Sequence, residues 1–505
     1  MIVPRIFYYY LAVFVAIGSY LYITITYDYL LDIHTTSGEV KGFIEYSTPG
    51  VRQFLGIPFA EPPIEDLRWQ PPKPKRPAEP INATSFSPSC PQFQSSIPSV
   101  YSRDVQELIV SGETSEDCLF LSIWTPVRKH QQRGSSGLPV LVWIYGGAFT
   151  NGGGNTTYQI PSKWVQRSQN HIVVQINYRL NIFGFPNARG LKDQNLGFLD
   201  QRLGLEWVRD NIAKFGGDPA RIVLWGQSAG ASSVDIQNFA FPQDPIVSGF
   251  IMDSGSALLP LKSEDHVQAN FSFVAENLGC ASKDAEAELG CMRKIPQEQI
   301  ESFLQKNEKL HLGGSSPKLS FIPIPDEALV FSDYTKQYKD EKFTSLPAII
   351  GTTSNEGSAL APYSPDGPNQ DTSTTKARDM FLCPAVKSSR LREAAGRPTF
   401  RYVYDGNFTN ISPLPWMGAY HSSELPLLFG SHSDADVDST PFEYCTSHTM
   451  QDLWLEFIKD PIEGLPKQDW KPYSSEDGNA IVFGRGNSAM QFQSIGEIDS
   501  ICDDK

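Results

Sequence analysis

The chain predicts an α/β fold built on a mostly parallel central sheet with helices on both faces. Three observations lead there. Several segments are apolar almost throughout rather than alternately, among them Leu138–Tyr145, His171–Tyr178, Ile222–Trp225, Gly249–Asp253 and Ala348–Thr352. A strand covered by helices on both faces buries both of its sides, so it reads as a continuous apolar run. Between these runs lie helical patterns, such as Phe198–Phe215, where Leu199, Leu203, Leu205, Trp207, Val208 and Ile212 recur at helical spacing. Strands alternating with such helices imply parallel pairing through right-handed crossovers. Finally, the run Ile222–Trp225 passes directly into Gly226-Gln227-Ser228-Ala229-Gly230 and then into Ala231–Ala240, which suits a helix.

Taken in order, the chain after residue 28 opens with short strands, Gly38–Glu45 and Val51–Ile57. Pro58 to Pro80 is proline-rich, and proline removes ladder donors, so no regular element is expected there. Cys90 to Cys118 encloses a polar surface loop, followed by a strand over Leu119–Thr125. The helix over Phe198–Phe215 is stopped by Gly216-Gly217-Asp218-Pro219. Residues 260–340 are polar and helical in character, and 361–376, rich in Pro, Ser, Thr, Asp and Gln, carry no sign of regular structure.

Composition narrows the function classes. With 505 residues, 40% of them apolar and 20% charged, the chain is globular and large enough for a sizeable core. Its net charge of -15 and lack of a long basic run argue against a nucleic-acid partner. The sequence has no C-x-x-C, no His/Cys cluster with zinc spacing, no G-x-G-x-x-G and no P-loop lysine, so no metal or cofactor is expected. No repeat period or long linker divides residues 29–505, which read as one domain.

Residues 1–28 stand apart. Ile6 to Tyr27 contains no charge, Arg5 precedes it, and tyrosines cluster toward its ends. Residues 6–27 fit a membrane tether; the same stretch, with Ala16-Ile17-Gly18 as a small-residue cleavage site, fits a secretory signal. Either places the body of the protein outside the cytosol, secreted or anchored. The sequons at Asn82, Asn155, Asn270, Asn407 and Asn410 and the seven cysteines agree with the secretory route.

The pentapeptide around Ser228 carries the chemistry. G-x-S-x-G between a strand and a helix is a nucleophile elbow: the serine sits on a strained turn, its hydroxyl clear of the sheet, and glycines flank it because a Cβ would collide with neighbouring strand and helix. A serine hydroxyl needs a base, and the base needs an orienting acid. In this chain order the acid and then the histidine follow the serine. His266, His311, His421, His432 and His448 come after Ser228. Glu356 lies in the loop just past the strand Ala348–Thr352, and His421 in a later loop, Gly418–Leu425. Considered singly, such a histidine is more often structural and such a glutamate a solvated loop charge. Asp253 and Asp405 are the next acids to weigh if Glu356 is not the one. Donors for an oxyanion are offered by the backbone N–H groups of Gly147 and Ala148, after the strand ending at Tyr145, and of Ala229 at the elbow.

Together these motifs resemble the type-B carboxylesterase/lipase family, the cholinesterase-like α/β-hydrolases. The resemblance runs from about residue 38 to 465 through Phe54–Pro63, Leu67–Trp69, Ser115–Leu121, Trp143–Phe149, Asn177–Arg179, Asn195–Gln201, Phe215–Pro219, the elbow, Ser254–Ser256 and the two loops that carry Glu356 and His421. It implies an α/β-hydrolase fold and hydrolysis of a small-molecule ester by Ser228 as nucleophile, His421 as base and Glu356 as acid, with Gly147, Ala148 and Ala229 as oxyanion hole and Ser254 supporting Glu356. It also implies disulfides Cys90–Cys118, Cys280–Cys291 and Cys383–Cys502, a free Cys445, and ion pairs Arg68–Glu116 and Arg179–Asp200. The rival functions are a catalytically inactive adhesion or binding protein on the same fold, and a true lipase with interfacial activation.

Three departures from the family stand out. Gln227 precedes the serine where cholinesterases carry glutamate. The 90–118 loop has no tryptophan, so the cation–π platform for choline is missing. The stretch from Glu356 to His421 is short, which predicts a site more open than in most relatives, with weak chain-length selectivity.

Overall fold

A computed structural model describes residues 31–77, 79–127, 137–435 and 437–503. The signal or tether segment, residues 6–27, lies outside these. Among the described residues no helix is long and apolar enough to cross a membrane.

The architecture is an eleven-stranded sheet flanked by helices, the α/β-hydrolase fold, with strand order β14-β13-β12-β11-β10-β9-β7-β8-β6-β4-β3. Its centre is parallel: β8 (Ile172–Ile176), β7 (Leu138–Ile144), β9 (Gly217–Gln227), β10 (Gly249–Asp253), β11 (Ala348–Thr353), β12 (Thr399–Tyr404) and β13 (Asn479–Phe483). Antiparallel strands close both margins: β6 (Phe120–Pro126), β4 (Val51–Pro58) and β3 (Phe43–Ile44) on one side, β14 (Met490–Ser494) on the other. A separate small sheet joins β1 (Asp32–Thr35), β2 (Gly38–Lys41) and β5 (Ile81–Asn82).

Every residue of β7, β8, β10, β11 and β12 is buried, as strands sandwiched between two helical layers must be. The helix Leu196–Asn211 covers one face and passes into a 3-10 turn, Ile212–Phe215. It stops where the sequence places its stop: Gly216 takes φ 95°, the left-handed cap that favours glycine. Two buried ion pairs hold loops to this core. Arg179 Nη2 lies 2.7 Å from Asp200 Oδ1, and Arg68 Nε donates to Glu116 Oε2 at 2.6 Å. Three disulfides are present, Cys90–Cys118, Cys280–Cys291 and Cys383–Cys502, with Cys445 free and exposed.

Three expectations need correction. Residues 361–376 are not without regular structure: Gln370–Lys376 is a helix, capped by Asn369, whose side chain accepts from the Thr372 N–H at 2.9 Å. It leads through one wide π-helical turn, Ala377–Leu382, into the helix Cys383–Ala394. A composition rich in Ser, Thr and Gln signals poor self-stability, but packing on the Glu356–Ala359 turn supplies what the sequence lacks; a Cβ on Gly357 would lie 1.8 Å from Ser373 O. The 90–118 loop is not merely a surface loop either. It contains a helical turn, Val100–Arg103, and buries Val100 and Val105. The proline-rich stretch includes a 3-10 turn at Glu65–Leu67 and a bridge between Ala60 and Pro74.

Candidate active site

Ser228 occupies the break between β9 and the helix Ala229–Ala240, with φ 58° and ψ -122°. A non-glycine residue held there is strained, and the surroundings hold it. Its N–H donates to Asp253 O at 2.8 Å, tying the turn to the end of β10. The flanking glycines are required by contact. A Cβ on Gly226 would fall 2.4 Å from the backbone of Gly230, and one on Gly230 would fall 2.0 Å from Ile144 O on β7.

Glu356 follows β11, and His421 lies beyond β12. A bridge between Asn355 and Tyr420 brings the two loops side by side, with Asn355 N donating to Ala419 O at 2.9 Å. As a result His421 Nδ1 stands 2.5 Å from Glu356 Oε2. The other oxygen, Oε1, accepts from Ser254 Oγ at 2.6 Å and from the Thr353 N–H at 2.8 Å. Glu356 is therefore held on both oxygens, Ser254 holding one of them. Neither alternative acid reaches the histidine. Asp253 accepts from Trp225 Nε1 and from Tyr402 OH, and burial pushes its carboxyl up to about 7. Asp405 pairs with Arg485 at 2.6 Å.

The loop after β7 turns through three residues of positive φ, Gly147 at 108°, Ala148 at 54° and Phe149 at 62°. Phe149 anchors it in the core against Phe185 and Phe198. Among the described residues, the N–H groups of Gly147, Ala148 and Ala229 donate to no protein acceptor.

Sequence reasoning missed four neighbours. The amide Nε2 of Gln227 lies 3.1 Å from His421 Nε2. Tyr101, in the 90–118 loop, donates its hydroxyl to His421 O at 2.8 Å. The ring of Phe381, on the π-helical turn, packs on the imidazole with centroids 4.6 Å apart. Glu424 is fully buried three residues past His421, and neither carboxylate oxygen has a hydrogen-bond partner among the described residues; burial, with Asp253 and Glu356 nearby, pushes its carboxyl well above the usual range. Only Gln227 left a sequence signal, as a departure at a motif position. Both side chains are largely buried: Ser228 keeps 9% of its surface exposed and His421 4%. A separate cavity of about 1040 Å³, lined by Glu65, Asp66, Arg68, Arg293 and Lys294 among others, shares no residue with this site.

The sequons divide into two groups. Asn82 and Asn407 are exposed, and their side chains make no hydrogen bond among the described residues. Asn155, Asn270 and Asn410 are half-buried, and each Nδ2 is already donating: to Ser111 O, to Ser320 O, and, for Asn410, to His432 O, Ser439 Oγ and Glu443 Oε1.

Comparison with known proteins gives the same answer as the fold. Residues 30–380 and 369–495 match the model of the Carboxylesterase family. A chlorogenic acid esterase of Aspergillus niger is 42% identical over 485 residues, covering 93% of each chain. Secreted lipase 5 of Gibberella zeae is 42% identical over 477 residues, 88% of each chain. Human cocaine esterase is 30% identical over 506 residues, 88% of this chain and 86% of its own. A family match over nearly the whole chain, carried by an eleven-stranded sheet with a serine elbow at its centre, leaves one assignment: the chain belongs to the carboxylesterase family and is an ester hydrolase.

Proposed function

We propose that this protein hydrolyses small carboxylic esters through an acyl-enzyme on Ser228, with His421 as general base and Glu356 as the acid that orients it. The observation that carries the reading is the Glu356 Oε2–His421 Nδ1 contact of 2.5 Å beside a serine held at positive φ on an elbow. Ser228 Oγ attacks the ester carbonyl as its proton passes to His421 Nε2. The carbonyl π pair moves onto oxygen, where the N–H groups of Gly147, Ala148 and Ala229 receive it. His421 then protonates the leaving alcohol, and water hydrolyses the acyl-enzyme by the same steps. Glu356 keeps the imidazole in the Nδ1–H tautomer and stabilises the imidazolium. No cofactor enters this chemistry. An inactive adhesion protein is disfavoured because serine, acid and histidine are all present and the acid is paired with the histidine. The relatives named for chlorogenic acid and for lipid are equally identical, so both substrate kinds belong in the test.

We read residues 29–505 as the catalytic domain and the secretory route as its destination, supported by the three disulfides and by a relative named as secreted. The test is a fluorophosphonate probe on protein lacking residues 1–28, beside a panel of nitrophenyl esters of rising chain length, chlorogenic acid and a triglyceride emulsion. Stoichiometric labelling should be lost in Ser228→Ala, with kcat down on the order of 10⁴-fold or more. Equal labelling of that variant would refute the assignment. A rate that jumps when the triglyceride passes from monomer to emulsion would make the protein a lipase.

A further inference from the structure

Gln227 has a contact that the reaction just described does not use. The residue is 3% exposed, and its Nε2 meets His421 Nε2 at 3.1 Å. The other end of the ring gives the direction of that hydrogen bond. Glu356 Oε2 stands at His421 Nδ1, and a carboxylate only accepts, so Nδ1 carries the hydrogen. In the neutral ring Nε2 is then the lone-pair nitrogen, and the Gln227 amide is the donor. That lone pair is the one Ser228 needs to lose its proton. An imidazole nitrogen offers one in-plane lone pair, so the amide and the serine hydroxyl compete for it.

Two further observations agree. Among the described residues no hydrogen bond joins Ser228 Oγ to His421, and Gln227 Oε1 makes none. The same amide lies against the oxyanion loop: a Cβ on Gly146 would fall 2.9 Å from Gln227 Oε1 and 3.0 Å from Ser228 Cβ. Gln227 thus stands between the base and the loop toward which the ester oxygen must move.

We propose that Gln227 is a positioning residue that occupies the His421 Nε2 lone pair in the resting enzyme, and that the nucleophile is switched on when an incoming ester displaces the amide. This rests on His421 being the base. Once the amide leaves, Nε2 accepts the Ser228 hydroxyl. The Oγ–carbonyl bond then forms as the O–H bond breaks toward Nε2, and the carbonyl π pair moves to the oxyanion loop. The ester and water are the only reactants. The other titratable groups around His421 are Glu356 on Nδ1, Tyr101 on its carbonyl oxygen, and Asp253 and Glu424 buried beyond Glu356. None of the four is altered by a substitution at residue 227.

The experiment uses the full chain secreted from a eukaryotic host, a small dialkyl phosphofluoridate as probe, and nitrophenyl acetate for the pH profile of kcat/KM. Gln227→Ala and the near-isosteric Gln227→Met both remove the donor, so at least one folded variant is available. A competing hydrogen bond of ordinary net strength corresponds to roughly a 3- to 10-fold effect, so both variants should be phosphorylated at Ser228 faster than the parent by about that factor. Gln227→Glu places a carboxylate at Nε2 and should move the acid limb of kcat/KM up by about one pH unit or more, which a merely structural role would not do. Labelling of a folded Ala or Met variant at the parent rate or slower would overturn the proposal. His421→Ala runs alongside: labelling of that variant at the parent rate would remove His421 as base, a separate failure from that of Gln227.

Discussion

At the scale of single residues, the site depends on side chains whose freedom has been removed before substrate arrives. Glu356 gives one oxygen to Ser254 and the Thr353 N–H and the other to His421, so neither carboxylate nor imidazole can rotate away. Preorganisation of this kind costs nothing at the moment of reaction. Glu356→Gln keeps the shape but favours the wrong tautomer, since an amide can donate to Nδ1. The expected result is a folded protein with an unchanged melt and most of kcat lost, on the order of 10⁴-fold. A near-normal rate would move the acid elsewhere. Ser228 and Glu356 are legible in the sequence because each follows a recognisable apolar strand, and His421 because a histidine-bearing loop comes after them in the expected order. Tyr101 and Phe381 are not. Tyr101 lies 320 residues from the histidine it touches, and Phe381 sits on the π-helical turn beyond the Ser- and Thr-rich stretch. Contacts made only through space leave no local pattern.

At the scale of elements, the sequence is most informative where burial is complete on both faces. The strands β7, β9, β10 and β11 appear as continuous apolar runs, with boundaries within a few residues of those observed, β9 excepted because its exposed start has no such signal. Strands β12 and β13 were missed. β12 carries Arg401 inside an otherwise apolar-aromatic run, and β13 is short and followed by polar chain. The start of β8 makes a testable point. His171, just before it, is buried with Nε2 unpartnered among the described residues, and burial lowers its imidazole to about 3. The unfolded imidazole titrates near 6.5, so below that pH the unfolded chain binds a proton that the native chain refuses. Stability from this group is full above about pH 6.5 and falls as pH drops toward 3, by at most ~1.4 kcal/mol per pH unit. Thermal melts between pH 7 and 4.5 should fall in the parent protein and fall less steeply in His171→Phe. Equal slopes would mean that His171 is not the titrating group.

At the scale of the whole molecule, the covalent additions follow from where the surface lies. Peptide mapping without reduction should find Cys90–Cys118, Cys280–Cys291 and Cys383–Cys502 with Cys445 alkylatable. Glycan is expected on Asn82 and Asn407, whose amides are exposed, and not on Asn410, whose amide nitrogen is committed to three acceptors including buried Glu443. Glycopeptide mass spectrometry of the secreted protein checks this, and full occupancy of Asn410 would contradict the hydrogen-bond network drawn there. The Glu356–His421 stretch is short, and its helices, pinned by Cys383–Cys502, bring Phe381 onto His421. The central claim is that esters are cleaved through an acyl group on Ser228. Its most direct test is rapid mixing with nitrophenyl acetate, followed by acid quench and peptide mass spectrometry. A burst of nitrophenol of one equivalent per active site is expected, with the acetyl group on the peptide containing Ser228. Turnover with no burst and no acetyl-peptide, or acetyl found on another residue, would contradict it.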